Sequence, residues 1–583
     1  MGRPSWQPIR ILGKGPWSLL PAQTWSVLTD LVIFAGGLAL FYAVLMLART
    51  WFGPFNPHVE ISRSPTALPM YAAYSLLRIT VAYVLSLAFT LVYGYIAAYN
   101  PRAERIMIPL LDILQSIPVL SFLPGVMLAM VALFPRHQLG IELGAILLIF
   151  TGQVWNMAFS FYSSLKSIPR EMREAAKIYR FNWYQRFTEC ELPYAAIGLV
   201  WNSMMSVAGG WFFLMACEMF VLGSRDFRLP GLGSYLQTAA SEGDMHSILW
   251  GVGVMIALIV LLDQIVWRPV IAWAEKFKVE QVESADAPRS WFLDFIQHSH
   301  GLIRLRKKTI RPLRERLALH FARQHHAAAD QHPAGWKVWT GRAIGLIVLL
   351  SVLYAVVRAT GMLTTLERGE YREIITGAAA TFLRVLTALA VGAAWTIPVG
   401  VAIGFNPRLA RIAQPLAQIA ASVPATALFP IVMLALIRIG GGLGLGSVVL
   451  LLLGTQWYIL FNVIAGASAF PGDFREAALT FHIRGWKWWR EVMLPAIFPY
   501  YVTGAITASG GAWNASVVSE AVSWGHTKLA ATGLGAYIAQ MTAAGDFPHL
   551  ALGIAVMSMF VILTNRLLWR PLYVLAENRT RLS

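Results

Sequence analysis

The sequence predicts an all-α polytopic membrane protein of about 12 transmembrane helices, arranged as two parallel six-helix repeats. Three observations carry that expectation. Of 583 residues, 57% are hydrophobic and 13% are charged, against roughly 25% charged in soluble chains. The apolar residues gather into stretches of about 20, the length that crosses a hydrocarbon core. The two halves also repeat the same prolines, tryptophans and charges in one register. An ordinary soluble enzyme, a disordered chain and a disulfide scaffold are excluded. Two cysteines, Cys190 and Cys217, are too few for a disulfide framework or a zinc site.

A basic leader with Arg3, Arg10 and Lys14 precedes the first span, near 25–48. No small-residue cleavage site ends that apolar run before Arg49 and Trp51, so an uncleaved helix is expected rather than a signal peptide. Spans follow near 72–99, 108–134, 139–163, 195–222 and 247–272, and again near 342–361, 376–404, 412–437, 443–466, 497–521 and 549–572. Between the sets, Lys276 to Arg342 holds 13 Lys or Arg against 6 Asp or Glu, with half of the 12 histidines. His325-His326 has no metal-ligand spacing, and the stretch reads as a linker lying on anionic headgroups. Lys and Arg also crowd 166–186 and 475–490, which fall on one side with the leader and the linker. Positive residues favour the cytoplasm, so both termini are placed there. The expected organisation is a cytoplasmic tail 1–24, a first repeat 25–275, a basic cytoplasmic linker 276–341 and a second repeat 342–583. Of the net charge of +17, this asymmetry is the simpler cause, and no nucleic-acid partner is expected.

The repeat is specific. Asn100-Pro-Arg102 recurs as Asn406-Pro-Arg408, Pro118 and Pro124 as Pro424 and Pro430, and Arg78 as Arg384. After a short deletion Trp155 matches Trp457, Trp211 matches Trp513, and Glu218 matches Glu520. Gly231-Leu-Gly233 then matches Gly533-Leu-Gly535, Gly243-Asp244 matches Gly545-Asp546, and Trp267-Arg-Pro269 matches Trp569-Arg-Pro571. An even number of spans between copies makes them parallel, related by an axis along the membrane normal, with a pathway expected between them.

A polar stretch separates the fourth and fifth spans of each half. Both copies carry Glu-Ala-Ala, at Glu174-Ala175-Ala176 and Glu476-Ala477-Ala478, and later Leu-Pro, at 192–193 and 494–495. Asp473 ahead of Glu476 reads as a capping-box variant, and Ser167 before Pro169 as a similar start. Glu171, Glu174 and Glu476 sit early in short helices, where the dipole favours anions. This pattern resembles the Glu-Ala-Ala loop of ABC importer permeases, and each half is similar to the nitrate/sulfonate/taurine branch. The family pattern has Gly where this chain has Arg180 and His482, which questions the turn that ends each helix.

The resemblance implies a type I ABC importer permease fold with both permease domains fused in one chain, in a bacterial inner membrane. It implies that the two loops couple to two copies of a cytoplasmic ABC ATPase, and that a periplasmic binding protein delivers the solute. The leading solute class is a small oxyanion such as nitrate, a sulfonate or taurine, or a related small organic molecule. ATP and Mg would belong to the ATPase, because this chain has no Gly-x-x-x-x-Gly-Lys phosphate loop. It also has no catalytic motif and no metal-site motif, so it is not itself an enzyme.

Glu218 and Glu520 lie deep in apolar sequence. An intramembrane carboxylate is costly and points to function, as a gate or pathway wall; the alternative is a buried group paired with a serine, an arginine or backbone amides. Asn202, Ser206, Trp211, Thr507, Trp513 and Asn514 are further pathway candidates on the fifth spans. Arg78 and Arg384 are expected to snorkel toward headgroups. An ion-coupled secondary transporter with two six-helix halves is the competing reading. It would need intramembrane acids for coupling and would give the Glu-Ala-Ala loops no role.

Overall fold

The computed structural model describes residues 59–277, 290–328 and 368–580, apart from nine isolated positions, together with scattered residues between 30 and 53 and between 350 and 361. The candidate spans near 25–48 and 342–361 therefore lie largely outside the described residues.

Among the described residues, eight helices are long and apolar enough to cross a membrane: Pro65–Tyr99, Leu139–Lys166, Trp183–Glu218 and Met245–Ala274, then Tyr371–Phe405, Leu443–Ser468, Gly485–Ser519 and Phe547–Ala576. They fall four to each half in the same order. In the first half, helix α1 (Leu68–Tyr99) packs on α2 (Leu139–Lys166), which packs on α3 (Leu192–Glu218). In the second, α4 (Arg368–Phe405), α5 (Leu443–Ser468) and α6 (Leu494–Ser519) repeat that order.

The third span of each half departs from the expectation. Neither 108–134 nor 412–437 is one continuous helix. Pro101–Ser116 is followed by a break and then by Leu123–Leu133. In the second half Arg408–Ala421 and Ala425–Leu436 meet at 82°. The cause is local. Ile117 and Val423 each precede a proline and adopt extended backbone, with ψ of 125° and 117°. A residue before proline is driven out of the α region. Each broken segment reaches into the opposite half. Leu120 N–H donates to Asn514 Oδ1 and Ser121 Oγ to Met557 Sδ, both in the second half, and Ala427 joins the buried core of the first.

The recurrent dipeptides explain the helix ends. The Asn100 carboxamide oxygen accepts from the amides of Arg102 and Ala103, at 3.0 and 3.2 Å, and Asn406 does the same for Arg408 and Leu409. Asn is a strong N-cap, and proline suits the first helical position because its missing N–H has no helical partner there. Gly243 and Gly545 both have φ of 71°. Asp244 N–H donates to Ala239 O at 2.9 Å and Asp546 N–H to Met541 O at 3.0 Å. This is the Schellman stop, which needs a left-handed residue. The aspartate that follows then starts the next helix, accepting from the amides of Ser247 or His549.

The repeated position of Leu-Pro and Arg-Pro in the two halves also has a backbone reason. Widened π turns at Phe187–Glu191, Asp263–Trp267, Trp489–Met493 and Asn565–Trp569 lie just before Pro193, Pro269, Pro495 and Pro571. A helical proline lacks one hydrogen bond and crowds the carbonyl four residues back; a wider turn relieves that crowding. Two small antiparallel hairpins, Val221–Asp226 and Ala521–Ala530, have no counterpart in the sequence-based expectation.

The aspartate caps carry a pH dependence. Hydrogen bonds from the Ser247 hydroxyl and amide hold the Asp244 carboxyl below its ordinary range, and contact with His549 does so for Asp546. A depressed folded-state pKa adds stability that is full above the unfolded value and is lost as pH falls through the folded one. Melting temperature should therefore fall as pH drops below about 4. In the Asp244→Asn, Asp546→Asn double variant, which keeps the caps but cannot titrate there, the acid-side fall measured by scanning fluorimetry should be shallower.

Candidate functional site

Two features stand out: a buried ion cluster inside each half, and an exposed loop helix at one end of each half.

In the first half Arg78, which is fully buried, bridges two carboxylates. Its Nε and Nη2 donate to Glu142 at 2.6 and 2.8 Å, and its Nη1 donates to Glu218 at 2.7 Å and to Pro230 O at 2.8 Å. Glu218 also accepts from the Ser75 hydroxyl at 2.6 Å and from Gly233 N–H at 2.7 Å. In the second half Glu520 accepts from Arg384 Nη1 at 2.8 Å, Thr381 Oγ1 at 2.8 Å and Gly535 N–H at 2.9 Å. The arginines thus do not snorkel to headgroups, because a buried carboxylate on the fifth span draws each inward. Glu218 and Glu520 are the paired buried carboxylates of the alternative reading, held by an arginine, a hydroxyl and a backbone amide.

The repeated Gly-Leu-Gly closes over these carboxylates. A Cβ at Gly231 or Gly533 would collide with the carboxylate of Glu218 or Glu520. The carboxylates also sit at the starts of helices Leu232–Ser241 and Leu534–Ala544, where free amides and the helix dipole favour a negative charge.

The loop helices span Arg170–Ile178 and Gly472–Thr480. Asp473 therefore lies inside the first turn rather than at the cap, and Pro169 rather than Ser167 is the cap of the first copy. Each helix opens just after a proline, at 169 and 471. Glu171, Glu174 and Glu476 are exposed, whereas Ala176 and Ala478 are buried against the body of the protein. The turn that ends each helix is intact without glycine. Arg180 and His482 take φ of 52° and 53°. Phe181 N–H donates to Ala176 O, and Ile483 N–H to Ala478 O, both at 2.9 Å. The apolar residues around these turns face outward: Ile178 is 77% exposed and Phe481 is 77% exposed.

Between the halves lies a cavity of about 90 Å³ lined by Met205, Phe212, Pro424, Trp457, Tyr458 and Asn514, among others. Of the eight pathway candidates only Asn514 lines it. Its Oδ1 accepts from Leu120 N–H at the break in the first half, at 3.3 Å. Asn202 and Thr507 instead donate to carbonyls of their own helices, Ser206 is buried, and Trp211 and Trp513 fill the cores of their halves. The aromatic lining escaped sequence reasoning because rings in an apolar span look the same whether they face lipid, core or cavity. Among the described residues no three His, Cys, Asp or Glu side chains are placed to hold a metal ion.

The pattern of the family described as binding-protein-dependent transport system inner membrane component matches the chain twice, at residues 90–266 and 396–567. Relatives include the trimethylamine N-oxide transport system permease protein of Pelagibacter ubique, 27% identical over 46% of this chain and 33% of its own length. A putative aliphatic sulfonates transport permease of Bacillus subtilis is 22% identical over 47% of this chain and 84% of its own. A nitrate import permease of Leptolyngbya laminosa is 26% identical over 32% of this chain and 64% of its own. The chain thus spans about a third of the first of these relatives and most of the second.

Two substitutions test the geometry. Arg78→Met strands two buried carboxylates and should cost about 3–5 kcal/mol; Arg384→Met, which strands one, should cost less. Thermal unfolding of the two purified variants compares them. Arg180→Gly with His482→Gly should remove left-handed strain of about 1 kcal/mol at each turn, seen as slower hydrogen exchange of the Phe181 and Ile483 amides.

Proposed function

The chain belongs to the binding-protein-dependent transport inner membrane components, with two permease domains fused in one multi-pass membrane protein, and on that premise we propose that it forms the solute pathway of an ATP-driven importer. The pathway runs between the halves, and the helices Arg170–Ile178 and Gly472–Thr480 each dock on one of two cytoplasmic ATPase subunits. ATP and Mg are bound by those partners. A periplasmic binding protein supplies the solute, and the chain sits in a bacterial inner membrane with both termini cytoplasmic. The solute class is a small oxyanion or small polar organic molecule, in keeping with the trimethylamine N-oxide, sulfonate and nitrate named for the relatives.

The observation that carries this reading is the pairing of the two loop helices. The first exposes Glu171 and Glu174 and the second exposes Glu476; each buries its second alanine and ends in the same left-handed turn with apolar groups turned outward. A short helix with a slim anchored face and an exposed apolar tip suits a groove on a partner, the helix-in-groove mode of recognition. When the ATPase subunits close on ATP, movement of the two tips would tilt the halves and switch access to the cavity. The ion-coupled alternative fares less well. Of its coupling acids Glu218, Glu520, Asp112 and Asp263, the first two are fully buried and fixed by a guanidinium, a hydroxyl and an amide, and Asp263 pairs with Arg268.

The test is coupled ATP hydrolysis in lipid nanodiscs, with the chain co-expressed with an ABC ATPase subunit from the same genome. The Glu174→Arg, Glu476→Arg double variant should fold normally and lose co-purification, or lose solute-stimulated hydrolysis at least about tenfold, the change expected when about 1.4 kcal/mol of docking energy is removed. Hydrolysis and co-purification equal to wild type would sink the coupling role.

A further inference from the structure

The described part of the linker between the halves, residues 290–328, is docked on the first half. Trp291 Nε1 donates to Gln264 Oε1 at 3.3 Å, on the flank of the span Met245–Ala274. Gly301 N–H donates to both oxygens of Asp30 at 3.1 Å. Helix α7 (Arg311–Ala328) then reaches the segment just beyond the first loop helix. There the carboxamide of the buried Asn182 donates to Ala318 O at 3.1 Å. Phe321 stacks on Tyr184 and meets Trp183 edge-on, both at 5.5 Å between ring centres, and Arg314 pairs with Glu189.

The repeat diverges at three of these docking residues, although Glu189 recurs as Glu491. Asn182-Trp-Tyr184 is replaced by Arg484-Gly-Trp486 in the second copy, and Trp486 is 74% exposed. The described linker residues thus strap the first loop, whereas Trp486 at the matching place of the second is exposed.

The outward side of the strap has a composition of its own. Residues 290–328 contain eight Lys or Arg and two Asp or Glu. Arg304, Lys307, Lys308 and Arg311 are exposed, as are Trp291, Ile303, Leu305, Leu313 and Leu319. The segment lies along the flank of one span and across the start of another, Trp183–Glu218. Exposed tryptophan and leucine beside exposed cations, at the ends of membrane helices, fit the boundary of a bilayer with anionic headgroups. We propose that residues 291–321 form a strap that binds anionic phospholipid and ties headgroup charge to the order of the first coupling loop.

Each Lys or Arg near an anionic surface strengthens attachment about fivefold, and salt screens the attraction within a Debye length of about 10 Å at 0.1 M. The test is hydrogen exchange of the full chain in nanodiscs of phosphatidylcholine, with or without about one third phosphatidylglycerol. The lipid comparison contains no ATPase, so its result is independent of the importer reading. Exchange of the 311–321 amides, and of the 183–189 amides they cover, should slow about tenfold or more in anionic discs, and about 0.5 M salt should reverse the slowing. The variant Arg304→Gln, Lys307→Gln, Lys308→Gln, Arg311→Gln alters only exposed side chains. It should keep wild-type exchange in the spans and show no difference between the two lipids. Phe321→Ala should break the link, leaving 183–189 unprotected in both. Equal exchange of the wild type in the two lipids, or a lipid difference that survives the four substitutions, overturns the proposal. So does slowing that appears only when the ATPase is added in neutral discs, which would assign the face to a protein.

Discussion

Each half depends on one carboxylate placed where a bilayer offers nothing to solvate it. Glu218 and Glu520 stand at the ends of long apolar helices and gather an arginine from one span, a hydroxyl one turn before it, and the first amides of the following short helix. In hydrocarbon every unpaired polar group costs several kcal/mol, so non-helical backbone survives there only under protein cover. The carboxylate supplies that cover for the turn around Gly231 or Gly533. The glycines are required in return, because a side chain at either position would occupy the space the carboxylate fills. Charge, cap and close approach are therefore one device, used twice.

The two copies do not use it identically. Arg78 is shared between Glu142 and Glu218, whereas Arg384 holds Glu520 and stays slightly open, its side chain 14% exposed. The cavity is asymmetric as well. Asn514 satisfies the backbone at the break of the first half, while the matching position, Phe212, has no polar group to offer. Rings line the cavity from both halves, Phe212 and Phe213 from the first and Trp457, Tyr458 and Phe461 from the second, while the polar groups of Asn514 and Tyr458 come from the second. Duplication set the frame, and later differences shaped the contents.

Much of this was legible in the sequence. Proline, glycine and tryptophan in a fixed register revealed the repeat, and a glutamate recurring in apolar sequence marked the ion cluster. What was not legible depends on distance along the chain. Arg78 looks like a headgroup anchor until Glu142 and Glu218, 64 and 140 residues away, are brought beside it. The break at Pro118 and Pro424 was hidden because hydropathy averages across a kink. Asp473 resembled a cap because its spacing to Glu476 suits one, yet the helix starts a residue earlier. Cavity-lining rings carry no local signal at all.

The missing glycine shows how a departure from a motif can preserve its geometry. A left-handed turn closes both loop helices, and glycine is the residue that adopts it without strain. Arg180 and His482 hold the same φ, so the surrounding hydrogen bonds must outweigh a penalty of about 1–2 kcal/mol. Such strain persists only where the surrounding structure over-determines it. Glycine would close the turn and present nothing beyond it. Arginine or histidine closes the turn and adds a long, exposed polar group at the tip of the helix, beside Ile178 or Phe481. The two halves keep the same backbone turn with different side chains, so the two exposed helix tips are alike in shape and distinct in chemistry.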